Sequence, residues 1–167
     1  MPKIEVNNVY KIFGSSPKQV IAKLKNGESK ETVLKNLNHS VGVNNASFAV
    51  EEGEIFVVMG LSGSGKSTLL RCLNRLIEPT SGVIKIDSVD ITKANTASLM
   101  EIRRKKIAMV FQNFALLPHK NVIDNVAFGL EIQKVKPEDR RAKAEQILET
   151  VGLKGYGHAY PKELSGG

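Results

Sequence analysis

One cysteine, no tryptophan and no long apolar run are the main absences in this 167-residue sequence. The single cysteine, Cys72, excludes an intrachain disulfide and a metal site built from several cysteines. No apolar stretch approaches the ~18 residues that a membrane-spanning helix requires, so no transmembrane segment is predicted. Because the first residues also lack the apolar core of a signal peptide, a cytoplasmic location is the default expectation. Cys72 itself lies among leucines, which favours a small core residue.

Acidic residues are fewer than basic ones, 17 against 24, and the net charge is +7. A basic balance suits nucleic acid or an anionic membrane surface. The densest basic run, Arg-Arg-Lys-Lys at residues 103–106, has no aromatic residue between its charges. Since single-stranded nucleic acids are bound by aromatic stacking as well as charge, we do not expect nucleic acid as a partner. The run fits a solvated helix end, or a face toward lipid headgroups or a protein partner.

The most informative pattern that is present matches G-x-x-x-x-G-K-[ST], the phosphate-binding P-loop. Its residues are Gly60, Leu61, Ser62, Gly63, Ser64, Gly65, Lys66 and Ser67. Residues 54–59 are predicted to form a short buried strand, and residues 67–76 a helix with leucines at 69, 73 and 76 on one face. A P-loop needs this position between a strand and a helix, so the flanking pattern argues against a glycine-rich turn that matches by chance.

The composition of this loop suits a bound triphosphate. Its glycines permit backbone conformations that turn successive N–H groups toward an anion. The helix that begins near Lys66 adds unsatisfied N–H donors and the positive end of its dipole. We expect Lys66 to reach the β- and γ-phosphates and Ser67 to ligate Mg²⁺. ATP and Mg²⁺ are therefore the expected cofactors.

The remaining pattern predicts an α/β fold. Strands are expected at residues 3–13, as an edge of the sheet, and at 46–50, 83–87 and 107–111, the last of these buried. Helices are expected at residues 97–105 and 122–131 and from Pro137 onward, with Gly152 as the final cap. The apolar face of that last helix consists of Ala144, Ile147, Leu148 and Val151.

Residues 15–42 are predicted to be a helical insertion. Two short helices are expected, with apolar faces formed by Val20, Ile21 and Leu24 and by Val33, Leu34 and Leu37. Two interpretations are open. The insertion is either a surface excursion on the β portion or a contact surface for a partner or regulatory domain.

Two further features narrow the family. Gln112 ends the apolar run at 107–111, and the chain closes on Leu164, Ser165, Gly166 and Gly167. The order of P-loop, strand-end glutamine, helical region and LSGG resembles the ATPase domains of ABC transporters. The resemblance covers the whole chain and implies one partial ATPase domain. Its parts are a β and P-loop core at 1–14 and 43–112, the insertion at 15–42, and a helical subdomain at 113–167 that ends in the signature motif.

The resemblance implies roles for the residues that match. Gln112 corresponds to the Q-loop glutamine, which contacts Mg²⁺ or the attacking water. The four residues from Leu164 to Gly167 correspond to the signature motif, which closes over the γ-phosphate held by a second subunit in a head-to-tail dimer. Phe13 occupies the position of the aromatic residue that stacks on adenine, with Tyr10 in reserve. The alternative for both aromatics is ordinary packing between strands.

Longer stretches, among them residues 9–14, 59–67, 74–80 and 103–112, resemble the ATPases of glycine betaine/proline importers. This implies ATP-driven uptake of a compatible solute, with transmembrane permease subunits and an extracytoplasmic solute-binding receptor as partners. The location implied is peripheral, on the cytoplasmic face of the inner membrane, with residues 112–119 transmitting motion to the permease. An ABC-type ATPase with another substrate or a non-transport role shares these motifs, whereas a P-loop kinase shares only the first.

Several parts that the resemblance calls for do not occur in the sequence: the Walker B strand, its catalytic glutamate and the switch histidine. No catalytic base is therefore assigned, and we expect the chain to be the N-terminal part of a longer ATPase. Two hypotheses are open for such a chain, a nucleotide-binding piece without turnover or a core that needs the missing strand in order to fold. His119, which follows Pro118, is expected to be structural or part of the coupling loop rather than catalytic or metal-binding.

Overall fold

The computed structural model of the protein describes residues 1–111 and 115–164. The chain divides into two units, Met1–Leu99 and Met100–Gly167. The first unit contains all the strands found in the described residues, and the second is helical in its described part. Within the described parts of the chain, no helix is both long enough and apolar enough to cross a membrane.

The first unit is built on an antiparallel sheet of four strands in the order β2-β1-β3-β4. The strands are β1 (Ile4–Phe13), β2 (Ser40–Val50), β3 (Ser81–Ile86) and β4 (Val89–Asp90). Ile4 of β1 pairs with Val50 on one side and with Ile86 on the other. The expectation of an edge strand at residues 3–13 is therefore wrong. Its alternating pattern reports one buried face, which internal antiparallel strands share with edge strands.

The predicted helical insertion is present as α1 (Pro17–Lys25) and α2 (Lys30–Leu37). Val20 and Leu24 of α1 and Val33 of α2 are buried in one cluster with Tyr10 and Ile12 of β1. Ile21, Leu37 and Val41 pack against this cluster and are partly buried. Leu34 is 52% exposed, so its predicted place on the apolar face is wrong. One residue along a helix turns the side chain by about 100°, away from the face that carries Val33.

The two ends of the insertion meet at a buried histidine. The Nε2 atom of His39 accepts the backbone N–H of Ser16 at 3.0 Å, and its Nδ1 contacts the carbonyl oxygen of Leu37 at 2.5 Å. Since a carbonyl only accepts and an N–H only donates, Nδ1 carries the proton and the ring is neutral. His39 thus joins the segment before α1 to the end of α2.

The helix after the loop is α3 (Lys66–Leu73). It ends earlier than the predicted limit of residue 76, because Asn74 leaves the helical conformation and Arg75 has a left-handed φ of 54°. Leu76 lies beyond this end and is 52% exposed. Cys72 is fully buried, as predicted, and burial raises the pKa of its thiol above the ordinary value. The thiol is therefore neutral and packs as a small core residue.

The predicted strands at residues 54–59 and 107–111 do not form in the structure. Ile55, Val57 and Met59 are 90%, 65% and 86% exposed, and Val110 is 92% exposed. Phe56 stacks on Phe48 of β2 with ring centroids 4.7 Å apart. Within residues 1–111 and 115–164, neither segment pairs with a neighbouring strand. An apolar run expresses a preference for burial, but a strand forms only where a neighbour accepts its backbone hydrogen bonds.

The second unit contains α5 (Val122–Ile132) and α6 (Pro137–Thr150), while α4 (Thr96–Lys105) spans the boundary between the units. The helices predicted at residues 122–131 and from Pro137 onward are confirmed as α5 and α6. Gly152 follows α6 with a φ of 77° that suits its capping position. The buried cluster between them consists of Val122, Ile123, Ala127, Ala144 and Leu148. Ile147 and Val151 are 52% and 61% exposed, so the predicted apolar face of α6 is too wide.

Candidate functional site

The glycine-rich loop turns sharply and then becomes the first turn of α3. The backbone N–H of Ser64 donates to the carbonyl of Leu61 at 3.2 Å, which closes the turn. Gly65 is the N-terminal cap of α3 with a φ of 99°, and its carbonyl accepts the N–H of Leu69 at 2.8 Å. The N–H groups in the first turn of α3, which have no partner within the helix, therefore lie next to the backbone of the loop.

Gly65 of the loop lies very close to the backbone of Gly42 in β2. A Cβ atom at Gly65 would lie 1.9 Å from the carbonyl oxygen of Gly42, which is far inside any real contact. The φ of Gly65 is also in the left-handed region, which side chains disfavour. Both facts require glycine here, and they explain in structural terms the last glycine of the motif.

Lys66 folds back over the loop. Its Nζ atom donates to the carbonyl oxygens of Gly60 and Leu61, each at 2.7 Å, and lies 3.4 Å from Oγ of Ser64. An ammonium group beside the N-terminus of a helix makes a strongly positive site. Ser67 follows in the first turn of α3 and is exposed. The geometry can therefore hold an anion, with a hydroxyl close by.

Phe13 lies beside the first turn of α3, next to the loop. A Cβ atom built at Gly42 would be 2.9 Å from Cε2 of Phe13 and 2.9 Å from Cγ2 of Thr68, so the ring and the methyl group flank this glycine. Phe13 is 40% exposed, and Nζ of Lys11 lies 4.9 Å from its ring centroid. Tyr10 is only 4% exposed and belongs to the core cluster with α1 and α2. Phe13 is thus partly exposed to solvent, with the Lys11 ammonium over its ring, whereas Tyr10 is buried.

A small pocket adjoins the loop and includes residues that the motif does not contain. Its volume is about 220 Å³. The lining residues are Lys30, Gly42, Val43, Asn44, Val58, Met59, Ser64, Gly65, Lys66 and Leu69. Sequence reasoning missed the parts played by Gly42 and Lys30, because both precede the loop by more than 15 residues and neither belongs to a phosphate-binding pattern. The only available signal was that Gly42 ends the predicted insertion.

The other predicted site residues fall mostly outside the described ranges. Gln112 and the three residues Ser165, Gly166 and Gly167 are not among the residues that the structure describes. Leu164 is described and packs against the α5 and α6 cluster. It follows a 3₁₀ turn at Pro161–Glu163, where the carboxylate of Glu163 accepts the backbone N–H of Tyr160 at 2.6 Å.

His119 is exposed in the turn before α5. In residues 1–111 and 115–164, no three histidine, cysteine, aspartate or glutamate side chains come together as a possible metal site.

At the end of α4, the carboxylate of Glu101 contacts Lys105 at 2.6 Å and Arg104 at 3.3 Å. The hydrogen bond from Lys105 lowers the pKa of Glu101 below its usual value. Part of the basic run at 103–106 is therefore balanced on its own helix.

Comparison with known proteins gives closely similar relatives. The ATP-binding protein of the glycine betaine/proline betaine transport system of Escherichia coli is 58% identical over 165 residues, which are 99% of this chain and 41% of that protein. The glycine betaine/carnitine transport ATP-binding protein of Listeria monocytogenes is 53% identical over 167 residues, 100% of this chain and 42% of that protein. The chain thus spans about two fifths of the length of these relatives.

Solved structures give the same fold. A dimeric ATP-binding cassette in a post-hydrolysis state, bound to ADP and Pi, aligns with a TM-score of 0.76 and 30% identity. The alignment covers 98% of this chain and 63% of that one. This confirms the predicted fold class, although the strands expected at residues 54–59 and 107–111 are missing here.

The family itself is shown by a match along most of the chain. The family model described as "ABC transporter" matches residues 43–167, which run from β2 through the loop to the final glycines. The relatives that are more than half identical over nearly the whole chain are ATP-binding proteins of transport systems. The chain therefore belongs to the ABC transporter family.

Proposed function

We propose that this chain binds ATP as part of an ABC importer ATPase that powers uptake of glycine betaine, proline betaine or a related compatible solute. The observation that carries the proposal is the position of Lys66, whose Nζ lies over the carbonyls of Gly60 and Leu61 at the start of α3. Relatives of 53–58% identity serve betaine and carnitine transport. They support the solute class.

The described residues fit a triphosphate. The N–H groups at the start of α3 and the Lys66 ammonium supply positive charge on one side of the loop, where phosphate oxygens accept hydrogen bonds. Ser67 offers an exposed hydroxyl in the same helical turn, which fits a hard cation that takes oxygen ligands. Mg²⁺ held there would neutralise charge on the phosphates. This chain's own part is to bind and orient the phosphate chain.

The remaining roles extend this proposal beyond the described loop. Phe13 stacks on the adenine, and Gln112 contacts Mg²⁺ or the attacking water. Residues 164–167 close over the γ-phosphate held by a second ATPase subunit in a head-to-tail dimer. The assembly lies on the cytoplasmic face of the membrane, with permease subunits and a solute receptor as its other parts. The dimeric cassette to which the chain is similar supports the dimer. A chimera that carries this chain in place of the aligned residues of the Escherichia coli relative, assayed for glycine betaine uptake, tests the solute class.

Lys66→Ala is expected to weaken MgATP binding by about 10- to 100-fold, which corresponds to losing charge-assisted hydrogen bonds. The lysine has no substitute on its own helix turn, because the neighbouring positions are serine and threonine. Isothermal titration calorimetry of the chain measures the dissociation constant directly. ATP hydrolysis by the same sample is expected at background, since no catalytic base is assigned.

Lys93→Ala serves as the matched control, because it removes one lysine whose side chain is 82% exposed and which does not line the loop pocket. Its affinity for MgATP is expected to equal that of the unsubstituted chain. Equal affinity of the Lys66→Ala and unsubstituted chains would contradict the proposal. Mg²⁺-dependent turnover that Lys66→Ala abolishes would contradict the expectation of background hydrolysis.

Phe13→Ala is expected to weaken MgATP binding by about tenfold, the cost of one lost base–aromatic stack. Magnesium tripolyphosphate has no base, so its affinity is expected to stay the same. Competition titrations with the two ligands measure the difference.

Phe128→Ala, a phenylalanine of similar exposure in the second unit, is the control and is expected to change neither affinity. If Phe13→Ala weakened tripolyphosphate as much as MgATP, the ring would act by supporting the loop and not by stacking on the base.

A further inference from the structure

The pocket beside the P-loop receives one residue from the helical insertion, Lys30. The other lining residues come from β2, from the segment before the loop, and from the loop and α3. The insertion therefore contributes a residue to the pocket beside the loop, which no motif in the sequence indicates.

Local contacts fix where Lys30 stands. Ser29 caps α2, since its Oγ accepts the backbone N–H of Thr32 at 3.1 Å, and this makes Lys30 the first residue of the helix. One turn later Val33 is fully buried against Tyr10 and Ile12 of β1. A capped and buried first turn does not slide along the sheet, so the Lys30 backbone is held at the rim of the pocket.

The charge of the pocket has one sign. Its ten described lining residues include two lysines, Lys30 and Lys66, and no carboxylate. Glu31 adjoins Lys30 in sequence but does not line the pocket. Hydrogen bonds from its own backbone N–H and from Ser29 lower the pKa of Glu31, which places this carboxylate at the start of α2. The charge of Lys30 interacts with that of the neighbouring Glu31, but no residue that lines the pocket is acidic.

We propose that Lys30 is a nucleotide-binding residue that attracts the phosphate chain held by the P-loop, so that the insertion takes part in ATP binding. This inference rests on the function proposed above and adds a second lysine to that site. Lys30 is exposed, and a lysine on a flexible stem in high dielectric contributes a modest, salt-dependent attraction.

The test compares substitutions at Lys30 with the same substitutions at Lys35, which is an exposed lysine of the same helix outside the pocket. Lys30→Gln is expected to raise the MgATP dissociation constant by about two- to fivefold at low salt, and Lys30→Glu by more. Lys30→Arg keeps the charge and is expected to bind as the unsubstituted chain does. Lys35→Gln and Lys35→Glu are expected to leave the constant unchanged. At about 0.5 M salt, where screening is strong, the effect at Lys30 is expected to shrink toward zero.

Equal effects of the Lys30 and Lys35 variants would overturn the inference, because only the net charge would then matter. A loss at Lys30 that persists at high salt, or that Lys30→Arg does not restore, would also overturn it, since a structural role behaves in this way. Lys66→Ala, titrated alongside, separates the two proposals. If Lys66→Ala loses affinity and the Lys30 variants do not, this inference alone fails; if Lys66→Ala binds normally, the proposed function fails as well. Thermal melts followed by circular dichroism verify that each variant is folded.

Discussion

Replacing Gly65 with alanine is expected to lower the free energy of unfolding by about 2–5 kcal/mol and to abolish MgATP binding. The left-handed backbone at Gly65, with a φ of 99°, costs an alanine about 1–2 kcal/mol. The added carbon would also lie 1.9 Å from the carbonyl oxygen of Gly42. Backbone at this point has to move, and overpacking of this kind costs about 1–3 kcal/mol more. Any movement separates the loop from β2 and displaces the start of α3.

Gly63→Ala is the matched control in the same loop. Gly63 has a φ of 77°, but a Cβ atom there would meet no other atom within 4 Å. It should therefore carry only the backbone cost of about 1–2 kcal/mol. Urea unfolding gives both free energies, and calorimetry gives both affinities. Equal losses of stability and affinity in the two variants would show that the contact between Gly65 and Gly42 does not exist in solution.

Ile84→Ala is expected to lower the free energy of unfolding by about 3–4 kcal/mol, because it deletes a core side chain and leaves a cavity. Ile84 is fully buried in β3 and pairs with Val6, itself fully buried in the central strand β1. Neighbouring strands on both sides of β1 limit how far the sheet can close over the space. Urea unfolding at constant m-value measures the loss.

Ile55→Ala is the control, with the same chemistry at a position that is 90% exposed. Its expected cost is below about 0.5 kcal/mol, as for other exposed positions. The pair also decides between the sequence-based prediction and the structure for residues 54–59. If this segment formed the buried strand that its composition favours, Ile55→Ala would cost as much as Ile84→Ala.

Features that depend on near neighbours in the chain could be predicted from the sequence. The helices α1, α2, α5 and α6 follow from apolar spacing together with caps such as Pro137 and Gly152, all within a few residues of each element. The P-loop is equally local, since a glycine pattern and a helix pattern adjoin. The order of the P-loop, Gln112 and the closing LSGG along the sequence is enough to identify the family.

Features that depend on distant contacts could not be predicted. Whether residues 54–59 become a strand depends on the neighbour that pairs with them, and composition does not supply it. The contact between Gly65 and Gly42 joins positions 23 residues apart, and nothing in either local pattern indicates it. Lys30 reaches the pocket because Val33 packs on β1, so its position depends on how the insertion folds back. Leu34 follows Val33 directly and lies on a different face of α2. The apolar pattern of a helix as short as α2 does not show which of these two faces is buried.

The hydrogen bonds of His39 join the two ends of the insertion. The imidazole of His39 bonds to Ser16, where the chain leaves the sheet, and contacts Leu37 at the end of α2. The first and last residues of the insertion are therefore held close together. Chain between two such fixed points can lengthen or shorten at little entropic cost, about 0.6 kcal/mol for each doubling. A change in the length of the insertion therefore leaves the pairing of the strands unchanged. The turn between α1 and α2 is the natural place to insert a peptide tag or a fluorescent reporter.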